Sequence, residues 1–252
     1  MQGESSEATA AVSRGVKTVL YICIIFMVML LCSCGLYSSP YIYEPSLNGG
    51  TATSGRPYVT IVHDGDNDPS VFRGYELYYK FYNATTAETD HSRDDKSIFS
   101  VSNPDYSALI AAGYKRCRTE KLYKKDTTTP MFKVPSSERD HDFNLKLNFE
   151  TIITKDNKSE MTLNYLSDAV PFYRAIQDQN PDSGEPELAG GKSDDIIYKD
   201  FNSDDIEEGD SDLNGNDYTN VSLSFYIIGY GIHENRNLYS KPVWLGVVRC
   251  WN

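Results

Sequence analysis

The chain has 252 residues, enough for one large domain with its own hydrophobic core, and a formal net charge of −12. A surface that acidic repels phosphates, which argues against nucleic acid as a partner while suiting solubility or cation binding. Nineteen tyrosines favour strands and partly wet surfaces, so the composition leans toward β structure.

Taken in chain order, residues 1–18 are polar and include Arg14 and Lys17; Val19 to Leu31 then reads "VLYICIIFMVMLL", thirteen residues without a charge. A basic flank, a short apolar run and small residues after it form the order of a secretory signal. Thirteen residues rise only about 20 Å as a helix, whereas crossing a bilayer takes roughly 20 residues. A transmembrane anchor is the alternative reading, because no charge falls between Thr18 and Tyr43.

The stretch Leu31-Cys32-Ser33-Cys34-Gly35 resembles the lipobox of bacterial lipoproteins. The resemblance implies that residues 1–33 are a signal peptide, cut just before Cys34, and that the Cys34 thiol carries diacylglyceryl with fatty chains such as palmitate. It implies a cell-envelope location, with the N-terminal lipid holding the protein to the membrane. Each buried CH₂ contributes about 0.8 kcal/mol, so two or three chains attach stably. An exported chain tolerates disulfides, and Cys117 and Cys250 are then a candidate pair, the alternative being two unpaired thiols.

Residues 34–56, "CGLYSSPYIYEPSLNGGTATSGR", are rich in Gly, Ser, Thr and Pro and read as a flexible tether, with the fold starting near Pro57. Beyond it, "YELYYKFY" (75–82), "FNLKLNFE" (143–150) and "VSLSFYI" (221–227) alternate with period two. With "YVTIV" (58–62), "MTLNYL" (161–166) and "PVWLGVV" (242–248), they predict a mainly β, antiparallel sandwich or barrel. One helix is expected in "SNPDYSALIAAG", with Ser102 or Asn103 as N-cap and Gly113 as terminator.

"VFRGYELYYKFYN" resembles the C strand of fibronectin type III domains, and "SFYIIGYGIHENRNLYSKPVWLGVV" is similar to their F strand, F–G loop and G strand. This implies an Ig-like β-sandwich over residues 57–252, with a long insertion at about 84–218 that contains the short helix. It implies no catalytic residue. The lipobox, "FRGYELYYKFY" and "LIAAGYKRC" together also resemble spirochaete lipoproteins.

Residues 194–217 hold ten acids against one lysine, and Asp210, Asp212, Asn214 and Gly215 repeat the first half of a calcium loop. Position 12 would be Val221, without a carboxylate, so the pattern is no EF-hand; a looser calcium site and a solvated acidic loop are both open. "DGDNDPS" (64–70) reads as a turn. The histidines His63, His91, His141 and His233 are scattered, no Gly-x-Ser-x-Gly elbow exists, and "GGKS" (190–193) lacks the first glycine of a phosphate loop. Tyr78, Tyr82, Tyr226 and Trp244 lie opposite the expected core faces; they form either a recognition surface or a face covered by the insertion. The expectation is a non-enzymatic envelope lipoprotein that binds a protein or glycan, or serves a structural role. The alternatives are an anchored carbohydrate-active hydrolase using acidic residues and a calcium-dependent adhesin.

Overall fold

In chain order the strands are β1 (Ser46–Asn48), β2 (Tyr58–Val62), β3 (Phe72–Asn83), β4 (Lys115–Arg116), β5 (Phe132–Lys133), β6 (Asn144–Asn148), β7 (Thr162–Tyr165), β8 (Asp168–Pro171), β9 (Val221–His233), β10 (Arg236–Tyr239) and β11 (Val243–Arg249). Among the described residues two α-helices, α1 (Ala87–Ile98) and α2 (Tyr106–Ala111), follow β3. The computed structural model describes residues 40–117, 130–149, 162–165, 168–174, 201, 206–208 and 210–250. The expected leader and Cys34 lie outside these residues. None of the described helices is long and apolar enough to cross a membrane.

The strands form two antiparallel sheets. The first has the order β1-β2-β6-β7-β8. Its period-two pattern does what alternation predicts: Val59 faces Leu147 and Ile61 faces Leu145 across the β2–β6 register, all four buried, while Tyr58 and Lys146 point outward. In the second sheet β3 and β9 pair along their whole length, from Phe72↔Gly231 to Asn83↔Val221. β10 and β11 flank the far side of β9, and β4 and β5 the far side of β3. The β9–β10 connection is a two-residue turn with both Glu234 and Asn235 at positive φ, the geometry that matches strand twist in a hairpin.

One apolar cluster draws Val59, Ile61, Leu145 and Leu147 from the first sheet and Tyr75, Leu77, Phe81, Leu223, Phe225 and Ile227 from the second. Each fully buried side chain of this size contributes about 1.5–3 kcal/mol. Phe149 and Phe225 meet within it at 4.9 Å between ring centroids. β3 and β9 are buried on both faces, because α1 and α2 cover the outer side.

Three regions depart from the sequence reading. Residues 40–56, expected as tether, are built into the body: β1 pairs with β2, Ile42 and Ala52 are buried, and the Ala52 amide donates to the Leu245 carbonyl at 2.7 Å. Gly246 permits that approach, since its φ is +124° and a Cβ there would meet the Ala52 carbonyl oxygen at 2.2 Å. A few apolar side chains with matching sites outweigh a loop-like composition, and the described fold begins at Pro40. Residues 84–218, expected as an insertion, supply three strands of the first sheet as well as both helices.

The third departure is helical. α2 is the expected helix, but its N-cap is Asp105, which accepts from the Ser107 amide at 2.8 Å, rather than Ser102 or Asn103. α1 was not foreseen. Its buried stripe is Ala87, His91, Asp94 and Ile98, at helical spacing, yet two of the four are polar, so no apolar period marks it.

Candidate functional site

The structure gathers the four singled-out aromatic residues on the outer face of the second sheet and covers them. Tyr78, Tyr82 and Tyr226 are buried, and Trp244 is half-buried. Tyr78 and Tyr82 of β3 and Tyr226 and Ile228 of β9 share a cluster with residues of α1 and α2, so the tyrosines meet a polar helix whose inward groups are His91, Asp94 and Asp95. Of the two sequence readings of this surface, the covered face is the one observed.

Polar groups there are satisfied within the chain. Tyr226 donates to Asp95 Oδ1 at 2.7 Å, and having one proton it can only accept from His91 Nε2 at 3.1 Å; His91 is therefore protonated at Nε2. The His91 ring stacks on Trp244 with centroids 4.1 Å apart. Tyr82 donates to Asp94 Oδ2 at 2.8 Å, and Lys80 forms an ion pair with the same carboxylate. The Tyr114 hydroxyl lies 2.9 Å from that of Tyr82 and 3.1 Å from Ser224 Oγ, which also accepts from Trp244 Nε1 at 3.1 Å. Burial pushes the Tyr82 and Tyr226 hydroxyls well above the ordinary tyrosine range, with Tyr114 beside each adding to the effect. Burial lowers the His91 pKa, against the pull of Asp95 and Asp94.

The calcium candidates meet a cation of the chain's own. Arg174, with a fully buried side chain, places Nη2 2.7 Å from Asp210 Oδ2 and 2.6 Å from Asp212 Oδ1, and Nε 2.9 Å from Asp212 Oδ2. Tyr79 donates to Asp212 Oδ2 at 2.8 Å, and the guanidinium lies 5.1 Å from the centre of the Phe81 ring. Burial opposes the charge on Arg174, but Asp212 and Asp210 outweigh it and hold its pKa above the usual value. Asn214 is at φ 52°, its side chain donating to the Asp212 carbonyl, so it turns the chain. Among the described residues no three His, Cys, Asp or Glu side chains are grouped to hold a metal ion. Sequence reasoning missed Arg174, because it sits far from the acidic run and without a motif.

The proposed disulfide is not formed: Cys117 and Cys250 are buried thiols. Register explains why. Cys117 bonds to Leu77 on the β4 side of β3, and Cys250 to Val221, which is opposite Asn83, on the far side of β9. Three strand spacings of about 4.8 Å and six residues of about 3.3 Å separate them, far beyond the roughly 7 Å between Cα atoms that a disulfide spans. Burial pushes the Cys250 thiol well up and so favours its neutral form.

His63 forms a further buried cluster. Its Nε2 donates to the Arg139 carbonyl at 3.1 Å and its Nδ1 accepts from the Tyr75 hydroxyl at 2.6 Å, with Phe143 stacked on the ring at 4.5 Å. Burial lowers its pKa against the opposing pull of the Arg139 carbonyl, Asp64 and Asp142. "DGDNDPS" is a turn, with Asp64 and Asp68 accepting from the amides of Asp66 and Ser70. A shallow hollow on the exposed side of α1 is lined by Glu88, Thr89, Ser92, Arg93 and Lys96, so one acid only faces it. No family model, curated protein or solved structure matches the chain.

Proposed function

We propose that this chain is an exported, lipid-anchored envelope protein whose β body serves as a non-enzymatic interaction or structural module. The observation that carries the reading is Leu31-Cys32-Ser33-Cys34 at the end of a thirteen-residue apolar run, ahead of a body whose first described residue is Pro40. A thiol at that position is suited to carry acyl chains, which attach stably when two or more are present.

The body is an Ig-like sandwich related in plan to fibronectin type III domains. In support, β3, β9 and the β10–β11 pair follow the C, F, G order, β2 pairs with β6, and both sheets feed one core. The non-enzymatic reading draws support from the acids: each buried carboxylate among the described residues is engaged by the chain itself, Glu76 by Arg116, Asp94 by Lys80, and Asp210 and Asp212 by Arg174. Such groups are structural ties rather than poised acid–base pairs.

The test is mass analysis of the purified mature N-terminus together with fractionation of Cys34→Ala. Diacylglyceryl on residue 34, and loss of Cys34→Ala from the membrane fraction, are expected. Retention of the variant in membranes makes the apolar run the anchor instead.

A further inference from the structure

β3 and β9 are covered on both faces, whereas β1, β2 and β6 are covered on one. Their inner residues, among them Val59, Ile61, Leu145 and Leu147, enter the core, and the alternate residues are exposed or half-buried. On that outer side the register sets Asn48, Thr60 and Lys146 in one row across the three strands, with Tyr58, 41% exposed, in the next. No acid occupies an outward position of these strands, although the chain carries 36 acids against 24 bases.

Two cations stand beside the exposed ring. Lys146 Nζ lies 4.7 Å from the centre of the Tyr58 ring, and Arg56 Cζ lies 5.8 Å from it. Arg56 is held in place, its Nη1 donating to the Gly49 carbonyl and its Nη2 to the Thr51 carbonyl at 2.6 Å. Two other cations beside rings are neutralised by the chain: Lys80, over Tyr82, pairs with Asp94, and Arg174, over Phe81, pairs with Asp210 and Asp212. Among the described residues Arg56 and Lys146 have no carboxylate partner. Glu44, Asp64 and Asp142 stand past the opposite end of the face, two residues beyond Ser46, Val62 and Asn144.

We infer that this face binds an acidic glycan of the polyuronate kind, with a carboxylate met by Arg56 and Lys146 and the C–H face of a sugar ring against Tyr58. The inference deepens the interaction-module reading and rests on it. Charge complementarity names the occupant: two unneutralised cations on an acid-free face call for an anion, and the guanidinium and ammonium bind carboxylates through charge-assisted hydrogen bonds. The ring calls for an apolar surface, and the amides of Asn48 and Asn144 with the Thr60 hydroxyl both donate and accept, as sugar hydroxyls do. A neutral glycan leaves the cations unanswered. A densely charged polymer is repelled by the rest of a chain at −12, whereas screening over about 8 Å confines the attraction for a single carboxylate to this patch. An acidic peptide would seek a free strand edge for its backbone, and this surface is the face of a sheet.

The full chain, purified from membranes, is titrated in a calorimeter with oligogalacturonate and with its methyl ester, at physiological ionic strength. Binding of the acid form and several-fold weaker binding of the ester are expected. Lys146→Gln and Tyr58→Ala should each weaken the acid form several-fold without moving the thermal midpoint, and Lys96→Gln, an exposed cation of α1 outside this face, should not weaken it. No binding, equal binding of acid and ester, or an equal loss with Lys96→Gln overturns the inference. Tighter binding of polyglutamate that survives Tyr58→Ala assigns the face to an acidic peptide, and self-association that Tyr58→Ala abolishes assigns it to a second copy; either overturns it. Separate readouts keep the readings apart. Oligogalacturonate that is bound and shortened supports the face and removes the non-enzymatic reading, lipid on residue 34 without binding removes the inference alone, and binding with residue 34 unmodified removes the anchor alone.

Discussion

The two faces of the β3–β9 pair meet the same demand, full burial, with different chemistry. The inner face packs Leu77, Phe81, Leu223, Phe225 and Ile227, and the ions that meet it among the described residues are Arg174, Asp210 and Asp212. The outer face carries Tyr78, Tyr82, Ser224 and Tyr226, whose hydroxyls reach Glu76, Asp94, Tyr114 and Asp95. The cover decides this difference. Another sheet supplies apolar side chains, whereas α1 supplies His91, Asp94 and Asp95, and a floor beneath polar groups needs donors.

The sharpest way to break the inner face is Arg174→Met, which leaves two buried carboxylates without their cation. A loss of about 3–5 kcal/mol is expected from urea midpoints. The double change Arg174→Met with Asp212→Asn should recover part of it, because one buried charge is then gone. On the outer face, Tyr226→Phe removes the link between His91 and Asp95 while keeping the ring. About 1–2 kcal/mol should be lost, with faster amide exchange in α1 than in β2 as the local readout.

Acid separates the faces less strongly. His63 and His91 both have lowered pKa values in the fold, so the unfolded chain takes up protons first as pH falls. Their contribution is complete above the ordinary value of 6.5 and is lost as pH falls below it toward the depressed folded values. Urea midpoints should therefore drop between pH about 7.5 and about 5, with His63→Phe flattening part of the slope. The smallest effect belongs to Arg93, 72% exposed beside Asp90. Arg93→Ala should cost less than about 0.5 kcal/mol in thermal melts, which shows that the ties of α1 are on its inner side.

The sequence carried the strands well, since period-two alternation is a direct record of a two-faced element. β2 matches "YVTIV" from end to end, and β6, β7, β9 and β11 lie within a residue or two of their expected starts. It carried the partners of those strands poorly. The stripe of α1 is written in His and Asp, and its usable signs were Glu88 and Asp90 in the first turn with Lys96 in the last, which complement the helix dipole. The acidic run around Asp210 is visible as a pattern, but the arginine that claims it comes from 36 positions earlier, and no local rule links them. Nor does composition distinguish a loop in water from one whose single isoleucine fits against two glycines.

That isoleucine has a mechanical consequence. A load applied to the leading end of the body reaches Ile42, wedged against Gly229 and Gly231, before it reaches the short β1–β2 pairing. Strain entering from that side is thus met first at β9, whose pairing with β3 is the longest among the described residues.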